Sequence, residues 1–254
     1  MSTAVADTIV LAKRNLLKLP RNPDLLVSFT IQPIMFVLLF NYVFGGAIRT
    51  PGLNYTDFLM PGIIVQTMSF GGFVTALGLV EDLNKGLIDR FRSLPMSRAA
   101  VLAGRTVSDL VPNMVSLTIM VLVGLVIGFS FNAPVTHVAL GVVLMLLFGH
   151  AFSWIFAWIG LLASSAESAQ AFGFMAIFPL TFISSAFVPT KSMPSILQDF
   201  ADVNPFTTCV DALRHLWVGT PAGNDVWAAF AWAIGLTIFF AALSIQRYRR
   251  AVGR

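Results

Sequence analysis

Long apolar runs alternate with short polar stretches along the whole chain. Six runs, near residues 25–44, 58–80, 107–129, 138–162, 169–188 and 226–243, each approach the ~20 residues needed to cross a bilayer. Pro33 and Pro179 fall inside two of them, where proline kinks a helix. The pattern predicts an all-α membrane chain of six spanning helices, organised as a single domain over residues 1–254. No internal repeat and no low-complexity linker interrupts it.

Two further stretches are helical without being long enough to span. In residues 5–19, Val5, Ile9, Ala12 and Leu16 share one face, while Lys13, Arg14 and Lys18 supply charge. An amphipathic helix at the membrane interface and a frayed basic tail both fit this pattern. Residues 189–225 hold two short helical patterns, 193–203 and 207–218, divided by Asn204 and Pro205. They are apolar enough to dip back into the bilayer, where irregular backbone must be covered by protein.

Residues 81–98 are the most polar stretch of any length. Leu83, Leu87, Phe91 and Leu94 recur at helical spacing, and Lys85, Asp89, Arg90 and Arg92 lie away from that stripe. Glu81 and Asp82 open the segment and Arg90 and Arg92 close it, both matching the helix dipole. Pro95 ends it. A short amphipathic helix over 81–94, lying along the membrane surface, is expected.

Composition agrees with a membrane protein. The 254 residues are 57% hydrophobic and 11% charged, against about 25% charged in soluble domains. The net charge of +4 comes from basic blocks beside apolar runs, which suit a membrane surface and not a nucleic acid. Of the 16 Lys and Arg residues, four precede the first run, five lie between the second and third, and four follow the sixth. The positive-inside rule then places both termini and residues 81–98 in the cytoplasm. The turn at 163–168, carrying Glu167, falls on the same side. Cys209 is the single cysteine, so no intrachain disulfide forms.

Catalytic motifs are sparse. No phosphate-binding loop is present; Gly104-Arg105-Thr106 lacks its lysine and glycine spacing. No zinc-type ligand spacing and no G-x-S-x-G occurs. His150 is the one ionisable side chain expected near the centre of a span. A neutral histidine bonded between helices explains it, and an intramembrane enzyme centred on His150 is the rival reading. A membrane scaffold that moves nothing is a further rival. Without an ATP site or an ion relay, a permease needs a partner to do work on it.

The order of residues in 81–98 goes further. Its acidic start, central Lys85-Gly86, Arg-rich end and closing Leu94-Pro95-Met96-Ser97-Arg98 resemble the cytoplasmic coupling helix of type-2 ABC transporter permeases. Phe187-Val188-Pro189, Met193-Pro194, Asn204-Pro205-Phe206 and Asp211-Ala212-Leu213-Arg214 resemble the outer re-entrant segment of the drug-exporting daunorubicin/doxorubicin-resistance group.

The resemblance implies a permease subunit without its own ATP site. It would export a hydrophobic drug, antibiotic or lipid-like compound across a bacterial plasma membrane. A polysaccharide or lipid-linked glycan exporter is the alternative cargo reading. The implied partners are two copies of an ABC ATPase, which carry ATP and Mg, and a second permease, identical or a sister subunit. Docking to the ATPase would fall to Glu81, Asp82, Lys85, Arg90 and Arg92. Gly86 would allow close approach, Leu87 and Phe91 would hold the helix to the bundle, and Pro95 would end it. Gln66 and Phe70, with Phe174, Phe178 and Phe182 at helical spacing, are candidates for the substrate pathway. Pro189, Pro194, Asn204, Pro205, Asp211 and Arg214 mark the outer segment.

Overall fold

The computed structural model describes residues 3–18, 23–48, 50, 52–85, 98–221 and 223–252. These residues form helices and connecting turns, and no strand occurs among them. In order they are α1 (Thr3–Lys18), α2 (Pro23–Leu38), α3 (Tyr55–Phe70), α4 (Phe73–Asn84), α5 (Arg98–Ser108) and α6 (Leu110–Val126). Then come α7 (Val135–Leu162), α8 (Ala166–Phe182), α9 (Ser195–Val203), α10 (Pro205–Val218) and α11 (Asp225–Val252). A π-helical turn, Leu39–Phe44, continues α2.

Among the described residues, four helical segments are long and apolar enough to cross a membrane: Tyr55–Asn84, Ala99–Val126, Val135–Leu162 and Asp225–Tyr248. They match the second, third, fourth and sixth expected spans. The first is represented by the shorter apolar helix Ile31–Phe44. The fifth, expected at 169–188, is α8, which has 17 residues. That is about 25 Å of helix, short of the ~30 Å hydrocarbon core. It stops at Phe182 because Asn204 intervenes: its side-chain amide donates to the carbonyls of Leu180 and Ile183, each at 2.7 Å. Those are carbonyls that a helix end leaves unpaired.

The second span is not one helix. Gly71 and Gly72 form a turn between α3 and α4. A Cβ on Gly71 would lie 2.0 Å from Asn113 Oδ1, so glycine is what lets the break pack against α6. The third span is likewise divided at Asp109, between α5 and α6.

The hairpin formed by α7 and its neighbours holds the core. α7 touches α11, α4, α3 and α10, and its buried face includes Leu144, Met145, Phe148, Phe152 and Phe156. Gly160 permits the approach to α4, since a Cβ there would sit 2.9 Å from the Ala76 carbonyl oxygen. A second, smaller cluster gathers Leu79, Leu102, Trp154, Ala157, Leu161 and Tyr248. It joins the ends of α4, α7 and α11 to α5. α1 packs along α5, with Leu11 and Ala12 buried. α1, the end of α4 and the end of α11 near Tyr248 therefore meet around α5 at one end of the bundle.

Candidate functional site: a stapled stem and an aromatic face

The end of α4 carries the first residues of the expected docking helix. Lys85 and Glu81 form an exposed ion pair one helical turn apart. The hydrogen bond that Lys85 donates to the Glu81 carboxylate raises the Lys85 pKa above its ordinary value. Asp82 behaves differently. It turns inward, and its carboxylate takes a hydrogen bond from Arg105 Nη1 at 2.7 Å; the two side chains are 11% and 14% exposed. This pair ties α4 to α5 at the base of residues 86–97. Gly86, Leu87, Arg90, Phe91, Arg92 and Pro95 lie outside the described residues. Asp82, one of the expected docking residues, closes the stem by pairing with Arg105. Arg105, one of the positive charges between the second and third runs, is its counterpart.

α1 completes this end. Leu11 and the backbone of Thr8 rest against Gly104, where a Cβ would fall 2.7 Å from Leu11 Cβ. Arg14 and Asn15 share a crevice with Leu79, Asp82, Val101 and Arg105. The stem is thus three-stranded: α4, α5 and the amphipathic α1.

The aromatic candidates do come together. Phe70 lies 5.7 Å from Phe174 and 6.3 Å from Phe178, between ring centroids. Phe174, Phe178 and Phe182 follow one another at 5.4 Å. Phe187 extends the series at 5.1 Å from Phe182, and Phe40 stacks on Phe187 at 4.5 Å. Such spacings lie within the range of favourable ring pairs. Phe174, Phe178 and Phe182 are 38–41% exposed, so their part of the band is a surface, while Phe187 at its end is buried in the core. Gln66 is 6% exposed and lies with Phe70 in a narrow cleft between α2, α3 and α6, with room for about 30 Å³.

The segment marked by Pro189, Pro194, Asn204, Pro205, Asp211 and Arg214 is a structural clamp at the opposite end. Pro189, Pro194 and Pro205 start helical turns, Pro205 as the first residue of α10. Arg214 is 4% exposed. Its guanidinium donates to the Phe58 carbonyl at 2.8 and 3.0 Å, to the Ser185 carbonyl at 2.6 Å and to Asp211 Oδ1 at 2.7 Å. It also stands 3.6 Å over the Phe58 ring, a cation–π contact. One side chain thereby fastens α10 to α3 and to the end of α8.

Buried Thr75, Asp109 and Asn113 and half-buried His150 stand between the two ends. Thr75 donates to Asp109 Oδ2 at 2.6 Å. Asn113 Nδ2 is buried without a hydrogen-bond partner among the described residues. His150 receives a hydrogen bond from Trp154 Nε1 at 3.1 Å on Nε2 and faces the Thr106 carbonyl at 3.3 Å through Nδ1. Both ring nitrogens are occupied by structural partners, which fits a neutral ring that donates through Nδ1. Among the described residues, no carboxylate is hydrogen-bonded to it.

The ABC-2 type transporter family model matches residues 6–217. The "Daunorubicin resistance ABC transporter permease protein DrrB1" of Streptomyces coeruleorubidus is 34% identical over 248 residues, covering 98% of this chain and 88% of the relative. The "Probable doxorubicin resistance ABC transporter permease protein DrrC" of Mycobacterium tuberculosis is 24% identical over 251 residues, covering 97% of this chain and 90% of the relative.

Proposed function

The chain belongs to the ABC-2 type transporter family, and on that premise we propose that it is the permease subunit of an ATP-driven exporter of hydrophobic drugs or similar amphiphiles. The observation that carries this reading is the full-length relation to a daunorubicin resistance permease. Six spans cross a bacterial plasma membrane, with α2 and α8 as the two short ones and both termini cytoplasmic. Residues 81–94 form the coupling helix, and residues 189–225 re-enter the membrane from outside.

The ATP site, with its ATP and Mg, lies on a separate ABC ATPase, present in two copies, and the permease pairs with a second permease. Closure of the ATPases moves residues 86–97 through the three-stranded stem. To flip a 1:99 equilibrium to 99:1 takes about 5.5 kcal/mol, so slack in the stem would waste the stroke. The Asp82–Arg105 pair and the packing of α1 on Gly104 remove that slack. Substrate moves along the face of Phe70, Phe174, Phe178 and Phe182. The test is ATP-dependent uptake of a fluorescent hydrophobic drug by inverted vesicles holding the complex. Uptake that requires both ATP and this chain supports the reading; vesicles that hydrolyse ATP yet accumulate no hydrophobic compound would sink it.

A further inference from the structure

The second and third spans break side by side, where Gly71 meets Asn113. In the second span the helical ladder runs to the Gly71 N–H on the Thr67 carbonyl and resumes with the Ala76 N–H on the Gly72 carbonyl. The carbonyls of Met68 and Gly71 lie in that gap without an i+4 helical partner. In the third span the ladder runs to the Asp109 N–H on the Arg105 carbonyl and resumes with the Asn113 N–H on the Asp109 carbonyl. The Thr106 carbonyl, freed by this second gap, faces His150 Nδ1 on α7.

Beside the first gap stands a donor that is not used. Asn113 is 2% exposed, and its Nδ2 has no hydrogen-bond partner among the described residues. A buried amide left unmet is costly. An acceptor is nonetheless close. A Cβ on Gly149 would lie 2.8 Å from Asn113 Nδ2 and 3.4 Å from the Met68 carbonyl oxygen, so a methyl-sized space separates the two. On the stem side of the breaks, α4 and α5 are tied twice, by Thr75 to Asp109 at 2.6 Å and by Asp82 to Arg105 at 2.7 Å.

We propose that Asn113 is a positioning residue for coupling: the paired breaks form a pivot on which the stem tilts, and the Asn113 amide sets the balance between two tilts. In the structure Nδ2 is unmet. In the other tilt α3 and α6 close across the methyl-sized space, and Nδ2 donates to the Met68 carbonyl. That bond exists in one state only, which is what lets it shift an equilibrium. The two ties make α4 and α5 one lever, so a displacement at residues 86–97 reaches mid-membrane. The inference rests on the exporter reading for the origin of the stroke, whereas the two tilts belong to the permease itself.

The experiment uses the full-length permease in phosphatidylethanolamine–phosphatidylglycerol nanodiscs, alone and with its ATPase. Spin labels on cysteines placed at Lys13 of α1 and Val126 of α6, both exposed, report the tilt as a distance by pulsed electron resonance. Cys209 is buried and takes no label. Wild type is expected to show two distances. Asn113→Leu keeps the shape and removes the donor, and should shift their ratio about tenfold toward the structure's own tilt. Its thermal midpoint should be unchanged or higher, because that tilt no longer holds an unmet amide, while drug moved per ATP falls about tenfold. Gly149→Ala fills the space between donor and acceptor and should shift the ratio the same way, so the pivot stays testable where Asn113→Leu fails to fold. A single wild-type distance, with and without ATPase and nucleotide, overturns the proposal. So does a wild-type ratio in either folded variant, or a lowered midpoint with the ratio kept, the mark of an asparagine that only holds the fold. Two distances in a permease that binds no ATPase sink the exporter reading alone; one distance in a complex that transports drug sinks the pivot alone.

Discussion

Asp82 and Arg105 meet at 2.7 Å across the base of a segment whose two ends they fix, with only 11% and 14% of their side chains exposed. Neither residue is free to serve as an independent contact for a partner. Removing one partner of a buried pair leaves an uncompensated charge and costs about 3–5 kcal/mol. Arg105→Ala and Asp82→Ala are each expected to lower the unfolding midpoint of the purified protein. The swapped pair, Asp82→Arg with Arg105→Asp, should recover part of the loss. Thermal unfolding in detergent compares the three variants with wild type; a swapped pair no more stable than either single variant would mean that the two residues do not act together.

α1 is held by shape. A side chain at Gly104 must displace Leu11 or the Thr8 carbonyl, the latter 2.9 Å from the added Cβ. Gly104→Leu is therefore expected to lift α1 off α5 while the spans stay folded. A cysteine placed at Ala12, which is buried in the wild type, should then react with maleimide at least ten times faster. Cys209 is buried and does not compete for the reagent. An unchanged labelling rate would show that α1 is held elsewhere.

Arg214 is the strongest single fastening at the opposite end. Arg214→Met leaves the carbonyls of Phe58 and Ser185 without their donor and loses the cation–π contact. A loss of about 3 kcal/mol or more is expected from the buried groups left unmet. Asp211, whose side chain is 39% exposed, is solvated when unpaired, and Asp211→Asn should cost about 1 kcal/mol. Denaturant unfolding checks the order; an equal cost at the two positions would contradict it.

His150 separates the transport reading from the enzymatic one. His150→Phe removes the partner of Trp154 Nε1 and a contact with the Thr106 carbonyl, and should cost about 1–2 kcal/mol of stability. Drug-stimulated ATP hydrolysis by the complex is expected to keep at least half its rate. Abolished turnover in a variant that still folds and assembles would restore His150 as a reacting group.

Hydrophobic runs made the all-helical membrane architecture legible, because a long apolar run has few other fates. The aromatic band was legible from spacing: Phe174, Phe178 and Phe182 recur every four residues and so share a face. Its meeting with Phe70 is tertiary, set by how α3 packs on α8. The stem was harder. Nothing local pairs Asp82 with Arg105, 23 positions away; only the antiparallel return of α5 beside α4 does so. The short α8 was concealed for the same reason. Its apolar run continues to Val188, but the side chain of Asn204, 21 residues past Ile183, caps it early. The break at Gly71 and Gly72 carried a local signal, a glycine pair, which membrane helices also tolerate without breaking.

On the exporter reading, an ATPase drives this chain through residues 81–98. The most direct measurement is to purify the tagged permease from its native membrane, as wild type and as Arg90→Glu/Arg92→Glu, and to assay what accompanies each. An ATPase subunit of about 30 kDa that follows the wild type and is lost from the variant is the expected result, since reversing two charges removes electrostatic complementarity at the docking face. Wild-type permease that carries no ATPase in several mild detergents, or a variant that retains it fully, would contradict the account.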